Sequence, residues 1–187
     1  VPGGALPRAF AGGALLAVSL ASCASGPREA ARPMRSLAES RHAGVVMQEW
    51  DLSCGAAAIA TLLTHDLADP VSEREAAEAM LRRTDPIKVR VQGGFSLLDL
   101  QEFAEARGYQ ANGYGELSLH DLLAMTPAIV PVSFHGFDHF VVIRGVRGRD
   151  VVLADPAFGR RSMRTSKFER AWNRRVAFVV EWVEEKE

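Results

Sequence analysis

The stretch QEWDLSCGAAAIATLL, residues 48–63, sets a thiol at the mouth of a long apolar run. Ser53 occupies a helix-capping position, and Ala57, Ala58 and Leu62 recur behind it at helical spacing. Together they predict a buried helix over Cys54–His65. Free cysteine is among the most buried residue types, so Cys54 alone reads as a small core residue. Its place in the first turn suggests more. Helix N-termini stabilise anions, and a thiolate held there has a lowered pKa and a raised availability as a nucleophile.

Downstream, the capping signals continue. Ser72 with Glu75 opens a helix to about Arg83, and Ser96 with Asp99 opens Leu97–Arg107, with Gly108 as its stop. Ser118 with Asp121 starts a short helix that must end before Pro127. The period then becomes extended: Ala128–Phe134, His139–Arg144, Val151–Ala154 and Val176–Val183 are β-branched runs between Gly, Asp and Pro turns. Ser166 with Glu169 marks one more helix, through about Trp172. Helices first and strands later predict an α+β domain with an antiparallel sheet, occupying residues 45–187.

A chain of 187 residues with 48% hydrophobic content has room for one such core. A net charge of -1 gives no basic face for nucleic acid. The basic clusters Arg147–Arg149 and Gly159–Arg161 read as solvated turns. Residues 1–22 have the character of a secretory signal, one Arg and then an apolar segment shorter than the roughly 20 residues a spanning helix needs. Its ending, Leu20-Ala21-Ser22-Cys23, resembles a bacterial lipobox, which implies lipidation of Cys23. Ala24 in the next position implies sorting to the periplasmic face of the outer membrane. Residues 23–44, rich in Pro, Arg, Ala and Ser, read as a flexible tether spanning about 25 Å. With Cys23 lipidated, Cys54 is a lone thiol in an oxidising compartment, a reason to regard it as reactive. The rival, a Cys23–Cys54 disulfide, would fasten that tether to the start of a core helix.

Two further residues give the thiol partners. His139 opens one predicted strand and Asp155 closes the next, in VVLADPAFG. A hairpin across the intervening VRGRD turn brings both to one end of the sheet, where the carboxylate can orient the imidazole. A Cys on a helix facing such a pair follows the logic of thiol hydrolases. Gln48 can add a side-chain amide donor for an oxyanion, beside the Cys54 backbone N–H at the open helix end. Gly55 leaves that flank clear for a substrate backbone. Taken singly, His139 could be a packing residue and Asp155-Pro156 an ordinary turn.

Gln48-x5-Cys54-Gly55-Ala56-Ala57, Gly94-x-Ser96, Pro127-Ala-Ile-Val, His139-Phe-Val-Val-Ile and Asp155-Pro-Ala-x-Gly159 resemble family thirty-nine of the cysteine peptidases, over roughly Val45 to Val183. That family includes the double-glycine leader peptidases fused to bacteriocin-exporting ABC transporters. The resemblance implies a papain-like fold, with Cys54 as nucleophile, His139 as general base, Asp155 as its orienter and Gln48 as oxyanion donor. It also implies cleavage after small residues such as Gly-Gly, with no cofactor. Many relatives carry Asp or Asn where this chain has Ser53. With no transporter domain on the chain, the expectation is an exported stand-alone lipoprotein, like relatives that accompany secreted fibre or fimbrial systems. Three other readings stay open. One is a peptide-binding module without turnover, and another is a thiol amidase or acyl transferase. The third is a zinc site drawn from His135, His139, Cys54 and Asp155, though neither HExxH nor CxxC accompanies it.

Overall fold

The central strands of this chain are apolar on both faces, and this dictates a sheet covered on both sides. The computed structural model describes Gly3, residues 36–134 and residues 136–183. In chain order the elements are α1 (Leu37–His42), α2 (Cys54–Asp66), α3 (Glu73–Leu81), α4 (Pro86–Gln92), α5 (Leu97–Glu105), β1 (Tyr109–Tyr114), α6 (Leu119–Ala124), β2 (Ala128–Phe134), β3 (Phe137–Arg147), β4 (Asp150–Asp155), β5 (Gly159–Arg164), α7 (Thr165–Ala171) and β6 (Ala177–Trp182). The strands form one sheet in the order β1-β6-β2-β3-β4-β5, and every pairing is antiparallel. The α+β expectation with an antiparallel sheet holds.

Successive strand side chains alternate between the faces. Ile129, Val142, Ala154, Phe178 and Val180 pack on one side with residues of α2, α3 and α5. Val130, Val132, Val141, Ile143, Val151 and Leu153 pack on the other with Leu122 of α6, Phe168 of α7 and Trp172. Three layers result: helices, sheet, helices. The α2 helix is the innermost piece, with every residue from Cys54 to Leu63 buried. Its small residues permit that depth, since a Cβ at Gly55 would stand 3.2 Å from Leu100 and 3.4 Å from Phe95. A helix apolar on all sides is stable only when enclosed.

Several local expectations need correction. The Ser53 side chain makes no capping bond to α2; its hydroxyl turns to the Trp50 carbonyl and the Glu73 carboxylate instead. Ser72 does accept the Glu75 N–H, but the Glu75 carboxylate pairs with Arg107 at 3.1 Å. The last helix begins at Thr165 with no side-chain cap, so Ser166 and Glu169 do not open it. Four elements escaped prediction: α1, described below, and three others. Helix α4 buries only Val89 and exposes Ile87 and Val91, which hides any inward-facing period. Strands β1 (YQANGY) and β5 (GRRSMR) are edge strands of polar composition.

Helix α1 falls within the stretch expected to be a tether, and it has a fixed seat against β5. A Cβ at Gly159 would lie 2.6 Å from the Arg41 carbonyl oxygen, and Gly159 has φ +76. Both facts demand glycine. Gly159→Ala is therefore expected to lower stability by about 1–3 kcal/mol. The readout is an earlier urea midpoint. Gly113→Ala is the control and should barely move it, because nothing lies within 4 Å of the added Cβ. Equal midpoints for the two variants would contradict the seating of α1 on β5.

Candidate active site

Antiparallel pairing of β3 with β4 sets Val142 opposite Ala154, so His139 and Asp155 stand a diagonal step apart at one end of the sheet. His139 Nε2 and Asp155 Oδ1 are 2.8 Å apart. The Asp155 side chain is 1% exposed and that of His139 is 14% exposed. Asp155 has two other partners: Oδ1 accepts the Ala157 N–H at 3.0 Å, and Oδ2 accepts Arg161 Nη1 at 3.1 Å. The Arg161 guanidinium lies between the rings of Phe134 and Phe158, 5.6 Å and 5.3 Å from their centroids. With Nε2 committed to the carboxylate, Nδ1 is the nitrogen left for a third group. On that side of the cleft stands Cys54, the first residue of α2 and a free thiol, beside the imidazole.

The electrostatics follow from these contacts. Burial alone would push the Cys54 thiol up, but the His139 hydrogen bond and the backbone N–H groups of Phe140 and Gly55 outweigh it, so the thiol lies below its ordinary value. Burial likewise disfavours the His139 imidazolium, yet the bonds to Asp155 and Cys54 leave it pushed up to about 9. Burial would also raise Asp155, and His139, the Ala157 N–H and Arg161 hold it below the usual carboxylate range. At pH values between the thiol and imidazole pKa values, thiolate and imidazolium coexist. This is the form in which a cysteine is a ready nucleophile with a proton donor beside it.

Gln48 sits in the loop that leads into α2 and is held at both its backbone and its side chain. Its N–H donates to the Pro156 carbonyl at 2.9 Å, which ties it to the turn after Asp155. Its Nε2 donates to the Trp50 carbonyl at 3.2 Å, while Oε1 is buried without a partner among the described residues. The amide carries two protons, so one remains after the Trp50 bond. Gln48 does not line the cleft described next.

Cys54 and His139 open onto a cleft of about 410 Å³, a size typical of ligand sites. Its walls include Phe95, Leu97, Pro131, Phe140 and Val176, with the backbone of Gly93 and Gly94 along one side. Gly94 has φ +144, and a Cβ there would press on the Leu52 carbonyl at 3.2 Å. Asp138 and Arg174 form an ion pair on its lining. A smaller hollow of about 260 Å³ lies between α3 and α5 and holds none of the groups above.

The structure thus gathers Cys54, His139 and Asp155, and places Gln48 on the adjoining loop. Sequence reasoning missed Arg161, taken as part of a solvated turn. The available signal was its place two residues beyond Gly159, on the inner side of a short strand that follows Asp155. Glu73 was also missed, hidden in the first turn of a helix where acidic residues are commonplace. Among the described residues, no group of three His, Cys, Asp or Glu side chains is placed to hold a metal ion. His135, Cys23 and the proposed signal lie outside the described residues.

Residues 42–183 match the Peptidase C39 family. The chain is similar to the probable functional amyloid protease FapD of Pseudomonas aeruginosa, 37% identical over 149 residues, which cover 80% of this chain and 66% of that one. It is also similar to the probable functional amyloid protease FapD of Pseudomonas fluorescens, at 36% over 143 residues, covering 76% and 62%. The chain therefore spans just under two thirds of the length of these relatives. Among solved structures, a double glycine motif protease from an AMS/PCAT transporter in complex with the leader peptide aligns with TM-score 0.56 and 25% identity, over 74% of this chain and 91% of that one. The peptidase domain of Streptococcus ComA, a bi-functional ABC transporter involved in quorum sensing, aligns with TM-score 0.61 and 20% identity, over 74% and 97%. The chain belongs to the Peptidase C39 family of cysteine peptidases and carries its papain-like α+β fold.

Proposed function

We propose that this protein is an exported thiol peptidase that cleaves a peptide or protein substrate after small residues such as Gly-Gly. The observation that carries this reading is the buried contact of His139 with Asp155, beside a Cys54 thiol held below its ordinary pKa. A module that only bound peptides would have no use for that activation. The cysteine-peptidase chemistry has its support in family membership, and the small-residue preference in the leader-peptide complex of the similar double glycine motif protease. The relatives described as functional amyloid proteases support a substrate in a secreted, fibre-forming system.

The reaction uses the site as follows. The Cys54 thiolate attacks the scissile carbonyl carbon, a C–S bond forms, and the carbonyl π electrons move to oxygen. The Cys54 backbone N–H and the remaining Gln48 Nε2 proton donate to that oxyanion. The oxyanion collapses, the C–N bond breaks, and the His139 imidazolium gives its Nδ1 proton to the departing amine. Water then attacks the thioester while His139 takes one of its protons, and the thiolate leaves with the bonding pair. Asp155 remains ionised throughout and fixes the imidazole plane. Arg161 holds the second oxygen of Asp155 so that the carboxylate cannot turn.

The membrane placement is also part of the proposal: Cys23 carries lipid and residues before the domain act as its anchor at the outer membrane. Incorporation of labelled palmitate into the wild type and not into Cys23→Ser is the expected result, and equal labelling of both would contradict it.

Mapping of new protein N-termini in the periplasm and secretome, with wild type against Cys54→Ala, tests the activity. Termini following Gly-Gly should appear only with the wild type. Their absence, or their persistence in Cys54→Ala, would remove the reading.

The acid limb of kcat/KM should follow the lowered thiol and the alkaline limb the His139 imidazolium, near its value of about 9. The Asp155 carboxylate raises His139, so Asp155→Asn must bring the alkaline limb down toward the ordinary imidazole range. It should also cost about 10²–10⁴ in kcat while leaving a residual rate. An unmoved alkaline limb in Asp155→Asn would show that the His139–Asp155 contact does not govern the imidazole.

A further inference from the structure

The most unusual buried group outside the reacting set is Glu73. It is 4% exposed, and its Oε2 has no hydrogen-bond partner among the described residues. No cation pairs with it among those residues either. Its place in the first turn of α3 gives some compensation through the helix dipole. Even so, a buried carboxylate with one idle oxygen is a poor choice for stability alone, since an apolar side chain of similar size would avoid the desolvation. Breaches of this kind tend to occur where function requires them.

What Glu73 does hold is the loop before the nucleophile. Its Oε1 accepts the Glu49 N–H at 2.9 Å and also contacts the Ser53 hydroxyl, itself buried. The Ser53 hydroxyl lies 2.7 Å from the Trp50 carbonyl, so its one proton is shared between two acceptors. That same carbonyl receives Gln48 Nε2 at 3.2 Å. A continuous hydrogen-bonded chain therefore runs Gln48–Trp50–Ser53–Glu73. Arg74, the next residue of α3, reinforces it by lying over the Trp50 ring, 4.9 Å from the centroid. One further consequence concerns Ser53. Because its side chain is committed to Glu73 and Trp50, it does not cap α2.

We infer that Glu73 is the positioning residue of the oxyanion hole, fixing the Gln48 amide through its contacts with Glu49 and Ser53. The inference rests on Gln48 as oxyanion donor. It assigns Glu73 no contact with substrate. Its effect must therefore appear in steps that build negative charge on a carbonyl oxygen and be absent from steps that do not.

The test compares two probes on the purified chain. Hydrolysis of p-nitrophenyl acetate passes through a tetrahedral oxyanion, whereas alkylation of Cys54 by iodoacetamide does not. Gln48→Ala should lower ester kcat/KM by about 10²-fold. Glu73→Ala should lower it by at least about tenfold, part of the same loss, with the alkylation rate and its pH profile kept at wild-type values. Glu73→Gln keeps an acceptor oxygen for both Glu49 and Ser53, and should restore most of the ester rate. The double variant Gln48→Ala/Glu73→Ala should be no slower than Gln48→Ala alone. If Glu73→Ala does not fold, Ser53→Ala cuts the same chain at a smaller group and carries the same expectations. Wild-type ester turnover in these variants, additive losses in the double variant, or parallel loss of alkylation would each overturn the role of Glu73. Wild-type turnover in Gln48→Ala would remove the oxyanion donor itself, and the inference with it. Loss in Gln48→Ala beside full activity in Glu73→Ala would overturn the inference alone.

Discussion

The hydrogen bond between His139 and Asp155, 2.8 Å long and with its carboxylate end buried, is the contact on which the rest of the site depends. An ionised carboxylate this deep is costly unless its oxygens are satisfied, and removing one partner of such a pair costs about 3–5 kcal/mol. Asp155 meets that demand with His139, the Ala157 N–H and Arg161. The first of these contacts also raises the imidazole, and His139 in turn lowers the thiol. Structural satisfaction of the carboxylate and activation of Cys54 are thus one arrangement. The sheet makes it possible, because β3 and β4 present His139 and Asp155 at the same end while α2 is buried against that sheet with its first turn facing them.

Backbone constraints around this contact are equally specific. The Gln48 N–H is tied to Pro156, directly after Asp155, so the loop carrying the amide and the turn carrying the carboxylate are held together. The Glu49–Ser53 loop is gripped from the opposite side by Glu73 and Arg74 at the start of α3. Gly94 lets the cleft wall approach this loop at Leu52. Four separate segments therefore meet around one thiol. The papain-like domain assembles the proposed site by this convergence, with each residue ordinary in isolation.

Much of the design was legible in the chain. The alternation in AIVPVSF and HFVVIR, and the unbroken small-apolar run after Cys54, announced strands and a buried helix because burial imposes a period on side-chain choice. His139 and Asp155 could be paired in advance, since a hairpin brings the start of one strand beside the end of the next. What the chain concealed had physical causes. The edge strands β1 and β5 are polar because one side of their ladder is open, and α4 turns Ile87 and Val91 outward. Ser53 stands where a capping residue belongs, yet Glu73, twenty residues on, claims its hydroxyl. Arg161 looked like a surface cation because its role depends on a strand register and two aromatic rings that only the tertiary fold assembles. Local sequence reports local preferences, and both misreadings arose where a distant partner overrode one.

Direct titration of the Cys54 thiolate by its ultraviolet absorbance, taken as the difference between wild type and Cys54→Ala, addresses the central claim most closely. The account predicts a wild-type thiol that ionises below the ordinary cysteine range, with the transition displaced back toward the ordinary value in both His139→Ala and Asp155→Asn. A wild-type thiol that ionises only in the ordinary cysteine range, or one whose ionisation ignores both substitutions, would contradict it.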